Sequence, residues 1–203
     1  MATKPVSIEQ VHDYWFGTDP SPDLQERSKL WFNGGVEVDN EIRKTFGPSI
    51  DLAGDGKLDD WQSTSKGTTA LIILLDQFPL NAFRKTAKAF AFEEAAVAAC
   101  LQGLEKEFDQ QVSIAERLFF YLPLVHSENI EHHDQAVLLF EKLADDAAGP
   151  EKKFAEYSLE SALEHREQIK RFGRYPFRNE VLDRNSSDEE IAWLNDNPDR
   201  YGQ

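Results

Sequence analysis

The sequence predicts an all-α protein of antiparallel helical pairs, about eight or nine helices in all. Three observations predict it. Apolar residues recur every three or four positions through almost every segment. Three capping boxes, Ser7-x-x-Gln10, Ser113-x-x-Glu116 and Ser187-x-x-Glu190, mark helix starts. Glycines and Gly-Pro pairs fall between the periodic stretches, where helices should stop.

Ser7 opens the first helix, with Ile8, Val11 and Trp15 on its apolar face and Gly17 as its stop. Asp23 is read as the start of a second, carrying Leu24, Leu30, Trp31 and Phe32. Val38, Ile42 and Phe46 sit four apart before Gly47-Pro48, a pair read as helix end and breaker. Residues 51–56 then read as a loop and turn leading to Leu58 and Trp61. The run 70–75 is apolar all round, which in a helical context marks a central buried helix. Residues 92–101 form an alanine-rich helix. The helix opened by Ser113 contains Pro123, where a kink or break is expected because proline leaves the carbonyl four residues back without a donor. Residues 130–147 are helical and end at Gly149-Pro150. The longest helix follows, 151–172, with Phe154, Ser158, Ala162, His165, Ile169 and Phe172 on one stripe and Gly173 as its stop. Ser187 caps a last short helix with Ile191, Trp193 and Leu194, and the tail 195–203 is expected to fray. Nothing rich in Pro, Gly or Ser divides the chain, so residues 1–203 read as one domain.

Composition narrows the function classes. The 203 residues carry 22 Lys and Arg against 37 Asp and Glu, a formal charge of −15. That excess of acid speaks against binding a phosphate backbone, which needs clustered cations, so no nucleic-acid partner is expected. No run approaches the roughly 18 apolar residues of a membrane span. Residues 1–10 lack the basic and apolar regions of a signal peptide, and a cytoplasmic location is expected. The one cysteine, Cys100, excludes an internal disulfide and a thiolate zinc cluster, and its alanine-rich setting suits a small core residue.

Three segments break the helical grammar. In the first, Asp76-Gln77-Phe78-Pro79-Leu80-Asn81-Ala82-Phe83-Arg84 follows the most apolar helix directly. Asp76 and Gln77 therefore start near the core, where a carboxylate wants a partner, and Arg84 is the one within reach in sequence. Asp76 and Asn81 equally suit helix caps, with Arg84 on free carbonyls. The second, Tyr121 to Glu128, sets His126 and Glu128 beyond Pro123. Histidine changes charge near neutral pH, so this pair suits proton transfer, though a core histidine satisfied by a neighbour is the commoner case. In the third, His165 points inward from its stripe, and 165–180 holds five cations (Arg166, Lys170, Arg171, Arg174, Arg178) against two acids (Glu167, Glu180). Lys170 and Arg171 complement a helix C-terminus, but Arg178 lies past the glycine stop. Arginine forks suit carboxylate or phosphate groups. Phe78-Pro79 and Tyr175-Pro176 each stiffen a polar loop, and two such loops suggest one shared pocket.

The same segments carry a resemblance. LLDQFPLNAFRKTAKAF, ERLFFYLPLVHSE and HREQIKRFGRYPFRNEVLDR, with YWFG and LWF near the start, resemble the uncharacterised family called domain of unknown function 924. The resemblance covers nearly the whole chain. It implies a right-handed, tetratricopeptide-like stack of helical pairs and no established activity. Its usual pattern has arginine after the first proline and histidine after the second, where this chain has Leu80 and Phe177. A glycine and an arginine of that pattern are replaced by Lys85 and Lys88, changes expected at the surface.

The reading that joins these features is a pocket for a small anionic molecule. Arg84, Arg171, Arg174 and Arg178 would supply charge, and Asp76, Gln77, Asn81 and Asn179 polar contacts. His126, with Glu128 or His165, would be the acid–base group of any catalysis. No cofactor and no metal are expected. His132 and His133 are adjacent on a helix and point about 100° apart, with His132 toward solvent. Glu93-Glu94 reads as a solvated face. The competing reading is a stacked-helix scaffold whose groove binds a protein partner.

Overall fold

The computed structural model describes residues 5–19 and 24–197, and no strand occurs among them. Helix α1 (Ile8–Phe16) starts at its capping box, where Ser7 Oγ accepts from Gln10 N at 3.2 Å and Ser7 N donates to Gln10 Oε1 at 2.9 Å. Helix α2 (Leu24–Asn33) follows, its proposed start at Asp23 lying outside the described residues. Helix α3 (Gly35–Gly54) is longer than the sequence predicts, because Pro48 sits inside it and does not end it. Pro48 and Lys44 are both exposed, so the carbonyl that loses its donor lies on a face that water can reach.

Helix α4 (Ser65–Ile72) is the buried helix that the apolar run predicts, with Ala70 and Ile72 fully enclosed. It continues into a π-turn (Ile73–Gln77), where the chain adds a residue to one turn, and then into α5 (Phe78–Ala82). Helices α6 (Glu93–Glu105), α7 (Ile114–His126), α8 (Ile130–Asp146), α9 (Pro150–Phe172) and α10 (Asp188–Asp196) complete the chain. Counting 65–82 as one rod, the described residues form nine helices, within the expected number. The capping boxes at Ser113 and Ser187 both form, and Gly173 ends α9 in the left-handed conformation at φ 69°. Pro123 lies within α7, which runs unbroken for three more residues to His126. Pro150 opens α9 as its first residue. Of the tail expected to fray, 195–196 belong to α10 and 198–203 lie outside the described residues.

Helix α4 is the hub. It touches α1, α6 and α7, while α6, α7, α8 and α9 pack in sequential contact. Gly103 lets α6 approach: a β-carbon there would meet Phe120 Cζ at 2.4 Å. Trp15 stands edge-on to Phe78 and Phe119, each with ring centres 5.5 Å away, which ties α1 to α5 and α7. Each such fully buried aromatic stabilises the fold by roughly 1.5–3 kcal/mol over an exposed one. The end of α7 thereby rests beside the π-turn.

Lys85 and Lys88 are both exposed, as expected. Lys88 pairs with Asp51 at 2.7 Å and covers the Phe83 ring at 4.2 Å. Lys85 has φ 61°, a left-handed conformation that costs an L-residue about 1–2 kcal/mol and glycine little. Lys85→Gly is therefore expected to raise the unfolding free energy by up to about 1 kcal/mol, part of the relief being lost to chain entropy. Urea denaturation of the two proteins measures it, and a variant less stable than the wild type refutes the assignment of strain.

Candidate acid–base site

The polar segments meet where α7 ends. The π-turn places Asp76 and Gln77 in the core, and both are buried. Pro79, which brings no N–H, follows directly and leaves the ordinary helical ladder without a donor at that point. π-turns inside helices are frequent at functional positions. Asp76 Oδ1 lies 2.8 Å from His126 Nδ1, and its other oxygen accepts from Gln77 Nε2. A carboxylate only accepts, so Nδ1 carries a proton, and in the neutral ring the lone pair is then on Nε2. No described residue bonds Nε2, and the His126 side chain is 21% exposed against 3% for Asp76.

Arg178 closes the other side. Its Nη2 donates to the His126 carbonyl at 2.7 Å and its Nη1 to Glu93 Oε2 at 2.6 Å. The guanidinium lies over the Phe90 and Tyr175 rings at 4.6 and 4.5 Å, and Nε is enclosed without a partner. Glu93 opens α6, so its carboxylate also suits the positive end of that helix. Contrary to the sequence reading, Glu93 is no part of a freely solvated face. Nor does His132 simply face solvent: it is half-buried, with Nδ1 2.8 Å from Ser127 Oγ. Glu93, Glu94, Ser127 and His132, with Val97, Ala98 and Leu101, line a pocket of about 290 Å³ between α6 and the α7–α8 connection.

The remaining predicted residues are brought close in part. Glu128 holds the loop after α9: it accepts from the Tyr175 amide at 2.8 Å and pairs with both terminal nitrogens of Arg184 at 2.5 and 2.9 Å. Burial raises its carboxyl, but Arg184 and the Tyr175 amide outweigh that and hold it below the usual range. Both Glu128 oxygens are thus occupied by structural partners. Asn179 donates to Ser186 at 3.0 Å and accepts from Arg184 at 3.0 Å. His165 does point inward, bonding the Ser161 carbonyl through Nδ1 at 2.7 Å and standing edge-on to Tyr175. Burial pushes it down to about 4, so it is a neutral core histidine near pH 7. His133, on the Ser127 carbonyl at 2.7 Å, is likewise pushed down to about 4 by burial.

The four arginines expected to face an anion face carboxylates of the chain. Arg84 grips Asp39 through Nε and Nη2 at 2.7 and 3.0 Å, and Asn81 adds a bond of 2.9 Å to the same carboxylate. Arg174 grips Glu190 in the same forked way at 2.7 and 2.9 Å. Arg171 meets Glu189 on the surface at 2.8 Å, and Arg178 meets Glu93. The local surplus of positive charge counted along 165–180 is spent, in space, on acids from α6, α8 and α10. Cys100 is wholly buried, and burial pushes its thiol well above its ordinary value, which makes it an inert core residue. Among the described residues no group of three or more His, Cys, Asp or Glu is placed to hold a metal ion, and no helix is long and apolar enough to cross a membrane.

Known proteins frame this site. Residues 11–198 match the family described as bacterial protein of unknown function (DUF924). A solved structure, that of the protein of unknown function ATU0120 from Agrobacterium tumefaciens, is 32% identical and superposes with a TM-score of 0.79 over 93% of this chain and 97% of that one. No curated protein matches. With a family model matched along almost its whole length and a relative of the same fold at that identity, the chain belongs to the DUF924 family.

Proposed function

We propose that this protein acts on a small molecule bound beside the end of α7, with His126 as the group that moves a proton and Asp76 as the residue that positions it. The observation that carries this is the Asp76–His126 contact of 2.8 Å, made by a buried carboxylate to one ring nitrogen while the other has no partner among the described residues. A buried carboxylate fixes the tautomer, orients the ring and stabilises the imidazolium that forms when Nε2 takes a proton. The adjoining residues support the placement. Ser127 follows His126 and lines the pocket, and Glu93 lines it while bound to the arginine that holds the His126 carbonyl.

A stacked-helix scaffold would spread its unusual residues along a groove, one set per helical pair. Here Asp76, Glu93, His126 and Arg178 gather at one end of α7, while Arg84, Arg171 and Arg174 pair with acids elsewhere. The anion of the sequence reading has weaker support, since every arginine proposed for it already holds a carboxylate.

The test is a screen of pooled metabolites for compounds consumed by the wild type, repeated with His126→Asn and Asp76→Asn. Both variants should keep the wild-type circular dichroism and lose turnover by about 10²- to 10⁴-fold. Turnover that survives in folded His126→Asn refutes the assignment.

A further inference from the structure

The carboxylates of this protein are not treated alike. Asp39, Glu128 and Glu190 each receive two nitrogens of one arginine. Each also lies below its ordinary carboxyl range, with the arginine bonds outweighing burial at Asp39 and Glu128 and leading the effect at Glu190. Glu93 receives a single nitrogen of Arg178, on Oε2 alone. Burial raises it above the ordinary value, Asp76 adds to the rise, and Arg178 offsets only part. Glu94, beside it, makes no ion pair with a described residue, and Asp76 has a histidine and an amide as its partners. Glu93 and Asp76 thus have one guanidinium and one imidazole between them, where burial weakens solvent screening, and Glu94 adds a further carboxylate at the exposed edge of the pocket. No lysine or arginine is among the residues that line the adjoining pocket. Its wall is the outer face of α6, where Val97 and Leu101 follow Glu93 at successive turns and Ala98 follows Glu94.

The geometry points to an organic cation, an ammonium or amidinium group on a short apolar body, as the molecule this pocket takes. The charged group sits between the free oxygen of Glu93 and the Glu94 carboxylate, and the apolar body lies along Val97, Ala98 and Leu101. This inference rests on the reading that the pocket serves the His126 site, and it reverses the sign of the ligand that the run of cations in 165–180 suggests. The local charge deficit attracts a cation; an anion would have to dislodge Glu93 from Arg178 and approach Asp76 and Glu94. An amine delivered here also fits the chemistry of His126, because an ammonium must lose a proton before its nitrogen can react.

The probes are hexylammonium, hexanoate and methylammonium, read by amide shifts of Ala98, Leu101, Ser127 and His132 in nitrogen-15-labelled protein. Hexylammonium should move these signals saturably at millimolar concentration. Hexanoate at equal concentration should leave them in place, and methylammonium should bind at least tenfold more weakly because it lacks the apolar body. Glu94→Gln, at an exposed position without an ion pair, should fold normally and weaken hexylammonium three- to tenfold. Hexanoate binding as tightly as hexylammonium, or no saturable shift with hexylammonium at 20-fold the protein concentration and beyond into the millimolar range, overturns the proposal. His126→Gln separates this result from the acid–base reading: hexylammonium should still bind that variant, so retained binding with unchanged turnover would refute the proton-transfer role and leave the ligand class standing.

Discussion

Arg178→Met should cost about 3–5 kcal/mol of unfolding free energy, the range for removing one partner of a buried ion pair. The methionine roughly fills the volume of the stem and restores none of the charge. It leaves Glu93 desolvated without its cation, frees the His126 carbonyl, and removes the guanidinium from between Phe90 and Tyr175. The double variant Arg178→Met, Glu93→Leu should recover much of the loss, because replacing both members of a buried pair by apolar groups is far cheaper than orphaning one. Urea denaturation of wild type, both single variants and the double closes the cycle. A single-variant loss below about 1 kcal/mol would show that Glu93 turns to solvent at no cost, and the buried pair would then not be what ties the loop after α9 to α6.

That pair also shows what could and could not be read from the chain. Helix starts at Ser7, Ser113 and Ser187 and the stop at Gly173 are local chemistry: the capping groups lie three or four residues from the amides and carbonyls they satisfy, so the sequence displays them whole. Pro48 misleads because a proline's effect depends on whether water can reach the carbonyl it orphans, and exposure is a property of the packed molecule. The π-turn has no sequence signature of its own; Pro79, three residues after Asp76 at the end of an apolar run, is its only trace. His126 and Asp76 were legible as candidates because each is a polar group in an apolar neighbourhood, but their contact spans 50 positions. Glu93 lies 85 positions from Arg178, and Arg184 lies 56 from Glu128. No periodicity links them. A surplus of charge counted along a segment therefore says little about the field in a pocket, since the counter-ions arrive from other helices.

Acid should destabilise this protein well before its carboxylates are protonated. His133 and His165 are pushed down to about 4 in the folded state, while an unfolded chain holds histidine near 6.5. As pH falls below 6.5 the unfolded state takes up protons that these two buried rings refuse, so the unfolding free energy falls with pH. The stability they contribute is fully present above 6.5 and is lost progressively down to about 4, at about 3 kcal/mol apiece. The ion-paired carboxylates act lower. Glu190, held down to about 2 chiefly by Arg174, gives up its contribution only as pH falls below the ordinary carboxyl range. Glu93 has the opposite sign, because a raised carboxyl is relieved by protonation, and it offsets part of the loss near the acid end of the window. Urea unfolding at half-unit steps from pH 7 to 4.5 should show a falling free energy whose slope corresponds to uptake of up to two protons on unfolding. His133→Gln keeps a donor for the Ser127 carbonyl and removes one titrating ring, so it should shed up to one proton from that slope whatever it costs at pH 7. A flat profile in the wild type, or a slope untouched in His133→Gln, would mean that these rings take up protons in the fold as readily as in the unfolded chain, and the reading of His133 and His165 as neutral buried rings would have to be abandoned.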